Sequence, residues 1–292
     1  MFDLRYHVAS LAAVFVALIL GILVGVGISA EGVLEESERV RLNDELDRLR
    51  GRLDEAELAL TEQRAATEFT RGAYTAVMHD RLLGQRIAVV SVGSVSPDVE
   101  EAETAIRDAG GEVARLRALR TPLATAEVEQ VLAERPALVA YRGRERLLEL
   151  GNELARELVA GGQTPLWDAL TTELVEQRSG PFGRPVDGVV VLRSVPPQRG
   201  ETARFLSGFY EGLQGAAPVV GVEGLRAEFS AVNVYRRAGM ATVDAIDTRP
   251  GKVALAVLLA DALPGDYGLK ETARSGVVPP IEPVSPPPPD EG

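Results

Sequence analysis

The chain has 292 residues, of which 46% are hydrophobic and 25% are charged, a composition typical of a folded globular protein. Its formal net charge of −12 argues against nucleic acid or an anionic lipid surface as a main partner, because both require a surplus of Lys and Arg. The absence of cysteine excludes disulfides and thiolate chemistry.

An uncharged segment opens the chain. Residues 8–30 contain no charged side chain, and as a helix they would extend about 34 Å, enough to cross a bilayer core of ~30 Å. The apolar part of a cleaved signal peptide is shorter, at roughly 7 to 15 residues. We therefore predict a permanent transmembrane helix over 8–30, with a cleaved signal and a buried soluble helix as the alternatives. Arg5 precedes the span and acidic residues follow it, which predicts a cytoplasmic segment 1–7 and an extracytoplasmic remainder.

Small residues recur every four positions along this predicted helix. Ala17, Gly21 and Gly25 belong to the stripe, and the two glycines form a GxxxG motif. Small residues at this spacing allow two helix backbones to approach closely in lipid, where packing drives association. The stripe predicts self-association of the anchor, although glycine and alanine are also common in membrane helices generally.

Leucines at alternating spacings of three and four follow in residues 31–84. Leu46, Leu49, Leu53 and Leu60 occupy the a and d positions of a heptad pattern, and oppositely charged residues occupy its g and e positions. This arrangement is typical of a parallel two-stranded coiled coil. We predict a helical stalk that forms a parallel homodimer. The alternative is a single amphipathic helix that packs against the following domain.

Residues 85–272 alternate between apolar strand-like runs and helical stretches. This alternation predicts an extracytoplasmic α/β domain with a mostly parallel, Rossmann-like sheet covered by helices on both faces. A break near 162–185 is compatible with two halves. The proline-rich residues 273–292 are predicted to form an extended, disordered tail. The predicted strands include the runs at Ile87–Val92, Glu112–Leu119, Ala137–Tyr141 and Val186–Leu192.

Few residues suggest chemistry. Asp244 and Asp247 follow a predicted strand, where α/β sheets commonly carry sites, but loop and helix capping is the main alternative for both. With two histidines in the chain, no nucleophilic triad is visible, and we predict no catalytic residue and no cofactor site. The adjacent Met78 and His79 are the candidates for a metal contact, against the alternative of helix residues at the edge of the core.

Two stretches resemble the actinobacterial MctB-type copper transport protein family. They are LRYHVASLAAVFVALILGILVGV, with Arg5, His7, Ser10 and Leu11 in place, and TVDAIDTRPGKVALAVLLADAL. The order of anchor, helical stalk, α/β region and tail also fits the family over nearly the full chain. The resemblance implies a role in copper homeostasis, with copper as the associated ion, and an outer-membrane location in mycolate-bearing bacteria. It also implies a cell-envelope partner that affects cell-wall hydrolysis and division.

The expected function combines the residue patterns with this resemblance. An apolar helix, rather than alternating β-strands, favours the inner (cell) membrane. We expect a single-pass, dimeric, non-enzymatic protein that acts as an extracytoplasmic platform in copper homeostasis. The alternatives are a scaffold or regulator of cell-wall hydrolysis working through a membrane partner, a direct copper carrier, and a ligand-binding or hydrolytic α/β domain.

Overall fold

The computed structural model describes residues 4–260 and 263–283. Residues 1–3 of the predicted cytoplasmic segment and residues 284–292 of the predicted tail lie outside this part of the chain. The chain divides into two compact units, Met1–Phe69 and Thr70–Gly292, and each is considered by itself.

The part of the first unit that the structure describes is a single helical element, α1, which begins at Leu4 and runs to Met78, so that its last turns belong to the second unit. Within it, Ala9–Val26 has a mean hydropathy of 2.7 over 18 residues and none of it is buried. This stretch is long and apolar enough to cross a membrane, as predicted. The helix ends six residues earlier than the predicted stalk, and a turn follows it to Gly84, which has a φ of 77° that glycine adopts without strain.

The second unit is built on one seven-stranded sheet of order β3-β2-β1-β4-β5-β6-β7. The pairs of neighbouring strands are parallel, except that β3 runs antiparallel to β2. The predicted α/β fold with a mostly parallel sheet is therefore confirmed. The strands are β1 (Arg86–Val92), β2 (Glu112–Leu119), β3 (Val175–Ser179), β4 (Gly188–Arg193), β5 (Val219–Val222), β6 (Ala241–Val243) and β7 (Asp266–Tyr267).

Helices cover both faces of this sheet, because consecutive side chains on a strand point to opposite sides. Val90 and Val191 face one hydrophobic cluster, which includes residues of α3, α4, α5, α6 and α7. Val89 and Val190 face the other cluster, which includes residues of α2, α8 and the end of α1. The helices are α2 (Pro97–Asp108), α3 (Thr125–Ala133), α4 (Leu147–Ala160), α5 (Pro165–Leu174), α6 (Gly200–Gln214), α7 (Val232–Arg237) and α8 (Arg249–Ala260).

One predicted strand is wrong. Residues Pro136–Tyr141 form a 3-10 helix in which only Leu138 is buried. The position next to β2 that such a strand would need is taken by β3. In β3 only Val175 is buried and the other four residues are exposed, so the strand lacks the apolar run or regular alternation that would have indicated it.

The segment 162–185, which the sequence marks as a break, contributes α5 and β3 to the same sheet. The strands before and after it are joined directly, because β1 pairs with β4. The first residues of the predicted tail also contact the domain. Gly276 forms a bridge with Tyr267, and Arg81 donates to the carbonyl oxygen of Glu282 at 3.0 Å.

Candidate functional site

The carboxyl ends of β1, β4, β5 and β6 form one edge of the sheet, where ligands of open α/β folds commonly bind. Between β1 and β4 the strand order reverses, since β1 connects forward to β2 on one side while β4 lies on the other. A cavity of ≈ 290 Å³ opens at this edge. Its lining includes Asp98, Arg193, Arg226 and Asp247. This crevice is therefore the place where the fold would position a ligand.

Asp98, in the first turn of α2, faces this crevice. Its carboxylate accepts a hydrogen bond from the backbone N–H of Gly224 at 3.0 Å. Burial raises the pKa of Asp98, and the neighbouring charge of Asp247 adds to this, while the Gly224 hydrogen bond and Lys270 act in the opposite direction. The carboxylate thus ties α2 to the loop that follows β5.

The buried Glu223 and the partly buried Lys270 form an ion pair beside the crevice. The Lys270 ammonium lies 2.7 Å from Glu223 Oε1 and also donates to the carbonyl of Gly224 at 2.7 Å. The other Glu223 oxygen accepts from the backbone N–H of Ala231 at 2.6 Å. The two residues are 47 positions apart, so no local pattern in the sequence could have paired them.

Asp244 and Asp247, the acids predicted at the end of a strand, do lie at this edge. Asp244 is 1% exposed, and its oxygens accept from the backbone N–H groups of Leu269 and Lys270 and from the hydroxyl of Thr272. Asp247 accepts from the backbone N–H of Leu225 at 2.7 Å. Both carboxylates therefore hold loops in place, which is the behaviour expected of a capping acid.

Met78 and His79 are not brought together. The Met78 side chain is 1% exposed and belongs to the hydrophobic cluster on the α2 and α8 face. The His79 side chain is 77% exposed, with its Nε2 3.5 Å from a carboxylate oxygen of Asp80. Among the residues that the structure describes, no group of three or more His, Asp or Glu side chains is arranged to hold a metal ion.

The predicted association surface lies on α1. Among the described residues, a Cβ at Gly21 or Gly25 would have no atom within 4 Å apart from its chain neighbours and the backbone of its own helix, and Ala17 is exposed. The leucines of the predicted seam are about half exposed or more in the single chain. Their exposed fractions are Leu46 48%, Leu49 48%, Leu53 63% and Leu60 50%.

A second polar cluster lies on β2, next to the outer strand β3, in a stretch for which the sequence predicted only a strand. Arg115 and Arg117 of β2 are 0% and 2% exposed, and both guanidinium groups lie over the ring of Phe182. The signal was present in the sequence, since arginines two positions apart on a strand point to the same face.

Comparison with known proteins places these features in a family. The sequence model of the family described as "Copper transport outer membrane protein, MctB" matches residues 1–279. The proteins named "Copper transporter MctB" from Mycobacterium bovis and from two strains of Mycobacterium tuberculosis are each 29% identical to the chain over 168 residues. That alignment covers 56% of the chain and 49% of each mycobacterial protein, so the chain spans about half the length of the curated relatives it matches. Because the family match extends over nearly the whole sequence, the chain belongs to the MctB copper transport family.

Proposed function

We propose that this chain is a non-enzymatic membrane-anchored platform that serves copper homeostasis. In this proposal two copies associate in parallel through α1, and each presents its α/β domain outside the cytoplasm to a partner in the cell envelope. Membership of the copper transport family supports the cellular role. The apolar segment Ala9–Val26 supports the anchor.

The uncovered leucine seam is the observation that carries the dimer. Four large apolar side chains repeat at heptad spacing on α1 and are about half exposed or more in one chain. Burying a leucine side chain contributes roughly 1.5–3 kcal/mol relative to full exposure, so a second copy of the same seam would stabilise the assembly substantially. Opposite charges flank the seam, at Glu45 with Arg50 and at Arg52 with Glu57, which favours a parallel partner of the same sequence.

The orientation follows from the charges beside the apolar segment. Arg5 precedes it, whereas Glu31, Glu35 and Glu36 follow before the first base, Arg39. Because cationic flanks stay on the cytoplasmic side, we place the N-terminus inside and the α/β domain outside the inner membrane.

The available donor atoms favour a platform over a direct carrier of copper. Copper(I) prefers cysteine and methionine, and copper(II) prefers histidine, yet the chain has no cysteine, two histidines and three methionines. Met78 is enclosed in the core while His79 faces solvent. A copper role through a bound partner therefore fits this chain better than a site of its own.

Paired substitutions on α1 test the dimer. Replacing Leu49 and Leu53 by Lys places charges in the seam. These substitutions should abolish chemical crosslinking of the full chain in membranes by a reagent that does not require cysteine. The matched control is Leu58→Lys, because Leu58 is also exposed but occupies an f position, away from the seam. Crosslinking yields that are equal in the seam variant and the control would refute the dimer.

The membrane part of the dimer has its own test. Replacing Gly21 and Gly25 by Leu should weaken association in lipid because the two backbones can no longer approach. Ala12→Leu is the control, since it adds a leucine nine positions from Gly21, on the opposite side of the helix. Association that survives the glycine substitutions unchanged would leave the stripe without a role.

A direct copper carrier is the second candidate function, because the relatives are named as copper transporters. To distinguish it from a platform, the full chain in detergent is titrated calorimetrically with copper(I) and with copper(II). The platform predicts no saturable binding above that of the His79→Ala variant. Stoichiometric binding that this substitution removes would favour the carrier.

A further inference from the structure

We infer that the cavity between α5 and β3 binds a small phosphate-bearing anion. This cavity measures ≈ 540 Å³ and lies beside the outer strand β3, apart from the crevice at the carboxyl ends of the strands. Its lining brings together two arginines, two threonines, an aspartate and an aromatic ring. They are Arg117, Arg178, Thr171, Thr172, Asp168 and Phe182.

Arg117 lines the cavity, and Arg115 lies over the same Phe182 ring; both are buried, and neither forms an ion pair among the described residues. Arg115 donates to the carbonyl oxygens of Leu158 and Arg184, and Arg117 donates to carbonyl oxygens that include those of Ser179 and Gly180. Within the described part of the chain, neither guanidinium has a carboxylate within ion-pairing distance. The Nε atom of each is buried and has no hydrogen-bond partner there.

Such an arrangement is costly because buried charges in proteins are normally paired. Burial, together with the neighbouring positive charges of Arg115 and Arg178, lowers the pKa of Arg117 to about 10. With a pKa of about 10, Arg117 stays positively charged at neutral pH, although the net charge of the chain is −12. An anion in the cavity would supply the missing negative charge.

The groups around the cavity suit phosphate. Guanidinium groups present parallel N–H donors that match phosphate oxygens, and they are more weakly hydrated than an ammonium group. Arg178 lies exposed on β3, and no ion pair or hydrogen bond of its side chain occurs among the described residues, so its guanidinium is available at the rim. Asp168 is the single acid of the lining, and it leaves the cavity with an excess of positive charge.

Trp167 provides a direct probe of binding. It is the single tryptophan of the chain, it is fully buried, and its ring centre lies 5.6 Å from that of Phe182, which lines the cavity. An anion that settles against Phe182 and Arg117 should change the tryptophan emission in a saturable manner. It should also raise the temperature of unfolding, because a ligand that binds only the folded state stabilises it.

The experiment titrates the full chain in nonionic detergent with inorganic phosphate, and separately with glycerol 1-phosphate, while chloride keeps the ionic strength constant. Both phosphate species carry the chemistry inferred here, and the tighter of the two tells whether the natural ligand is free phosphate or a phosphate ester. Saturable binding of either species supports the inference if Arg178→Gln weakens it about tenfold, the loss expected when one charge-assisted contact is removed.

Arg237→Gln is the matched control, because it removes the same charge from an exposed position on α7, at the other end of the sheet. No saturable response in the wild-type chain would overturn the inference, and so would equal affinities of the two variants. In either case the buried arginines serve only to fasten the loop around Phe182. These outcomes are independent of the copper role, since the experiment contains no copper.

Discussion

Substitution of Asp244 separates a structural carboxylate from a chemical one. This side chain is buried directly after β6 and accepts hydrogen bonds from the backbone N–H groups of Leu269 and Lys270, at 2.8 and 3.2 Å, and from the Thr272 hydroxyl at 2.5 Å. Alanine would leave all three donors without an acceptor, and the loop at 269–272 would lose its attachment to the sheet.

The expected cost follows from these three contacts. A hydrogen bond to a charged group contributes about 1.5–3 kcal/mol, so Asp244→Ala should destabilise the domain by about 4 kcal/mol or more. Asp244→Asn should cost only about 1 kcal/mol, because its remaining oxygen still accepts from the two amides and its NH2 group donates to the oxygen of Thr272. Asp247→Ala removes one hydrogen bond at an exposed backbone N–H, and it should also cost about 1 kcal/mol.

Thermal unfolding of the full chain in detergent, followed by the emission of Trp167, measures these differences. For a domain of this size, each kcal/mol lowers the midpoint by roughly 2–4 °C, so the alanine variant should unfold about 10 °C below the wild type. The asparagine variant should remain within about 4 °C.

An asparagine variant as unstable as the alanine variant would refute this reasoning, because it would show that the negative charge itself is required. A normal midpoint for Asp244→Ala would refute it as well. If Asp244→Asn keeps the wild-type midpoint and yet abolishes function in cells, the carboxylate has a chemical task beyond holding the loop.

Two further predictions concern the helices that cover the sheet. Glu157 accepts hydrogen bonds from the backbone N–H groups at the start of α5, and burial raises its pKa above the ordinary value of 4.5. The folded state therefore holds this proton more tightly than the unfolded state, and its stability should fall as pH rises through the interval above 4.5. Glu157→Gln should remove this pH dependence from the urea unfolding midpoints. An unchanged pH dependence in the variant would contradict the prediction. Gly208→Ala should destabilise the domain by about 1–3 kcal/mol because the added Cβ overlaps the carbonyl oxygen of Leu148 on α4. Gly215→Ala, which has open space around it, should not; equal midpoints for the two would show that α4 and α6 can move apart.

The sequence predicts best those elements whose pattern is local. β1 and β4 are almost entirely buried and read as continuous apolar runs, and α2 begins with Pro97 at its first position and ends before the glycines that follow it. The apolar start of α1 is recognisable for the same reason, since length and composition alone indicate it.

The elements that escaped prediction depend on distant residues. β3 is a strand because β2 offers it a free edge, while its own residues are mostly polar and exposed. The pair of Glu223 with Lys270 and the contact of Arg117 with Phe182 join positions far apart in sequence. One sequence shows the residue types at such places, but only the fold shows which of them meet.

The two outer strands of the sheet affect the tendency of the domain to aggregate. An unpaired strand edge is a template on which another chain can add, and this leads to fibrillar aggregates. Here one border is β3, which carries Glu176 and Arg178 and is exposed over most of its length. The other is β7, which has only two residues and is followed by a bridge to Gly276. Charge protects one border and brevity the other, so the domain should stay dispersed at high concentration even when a membrane confines many copies to one surface.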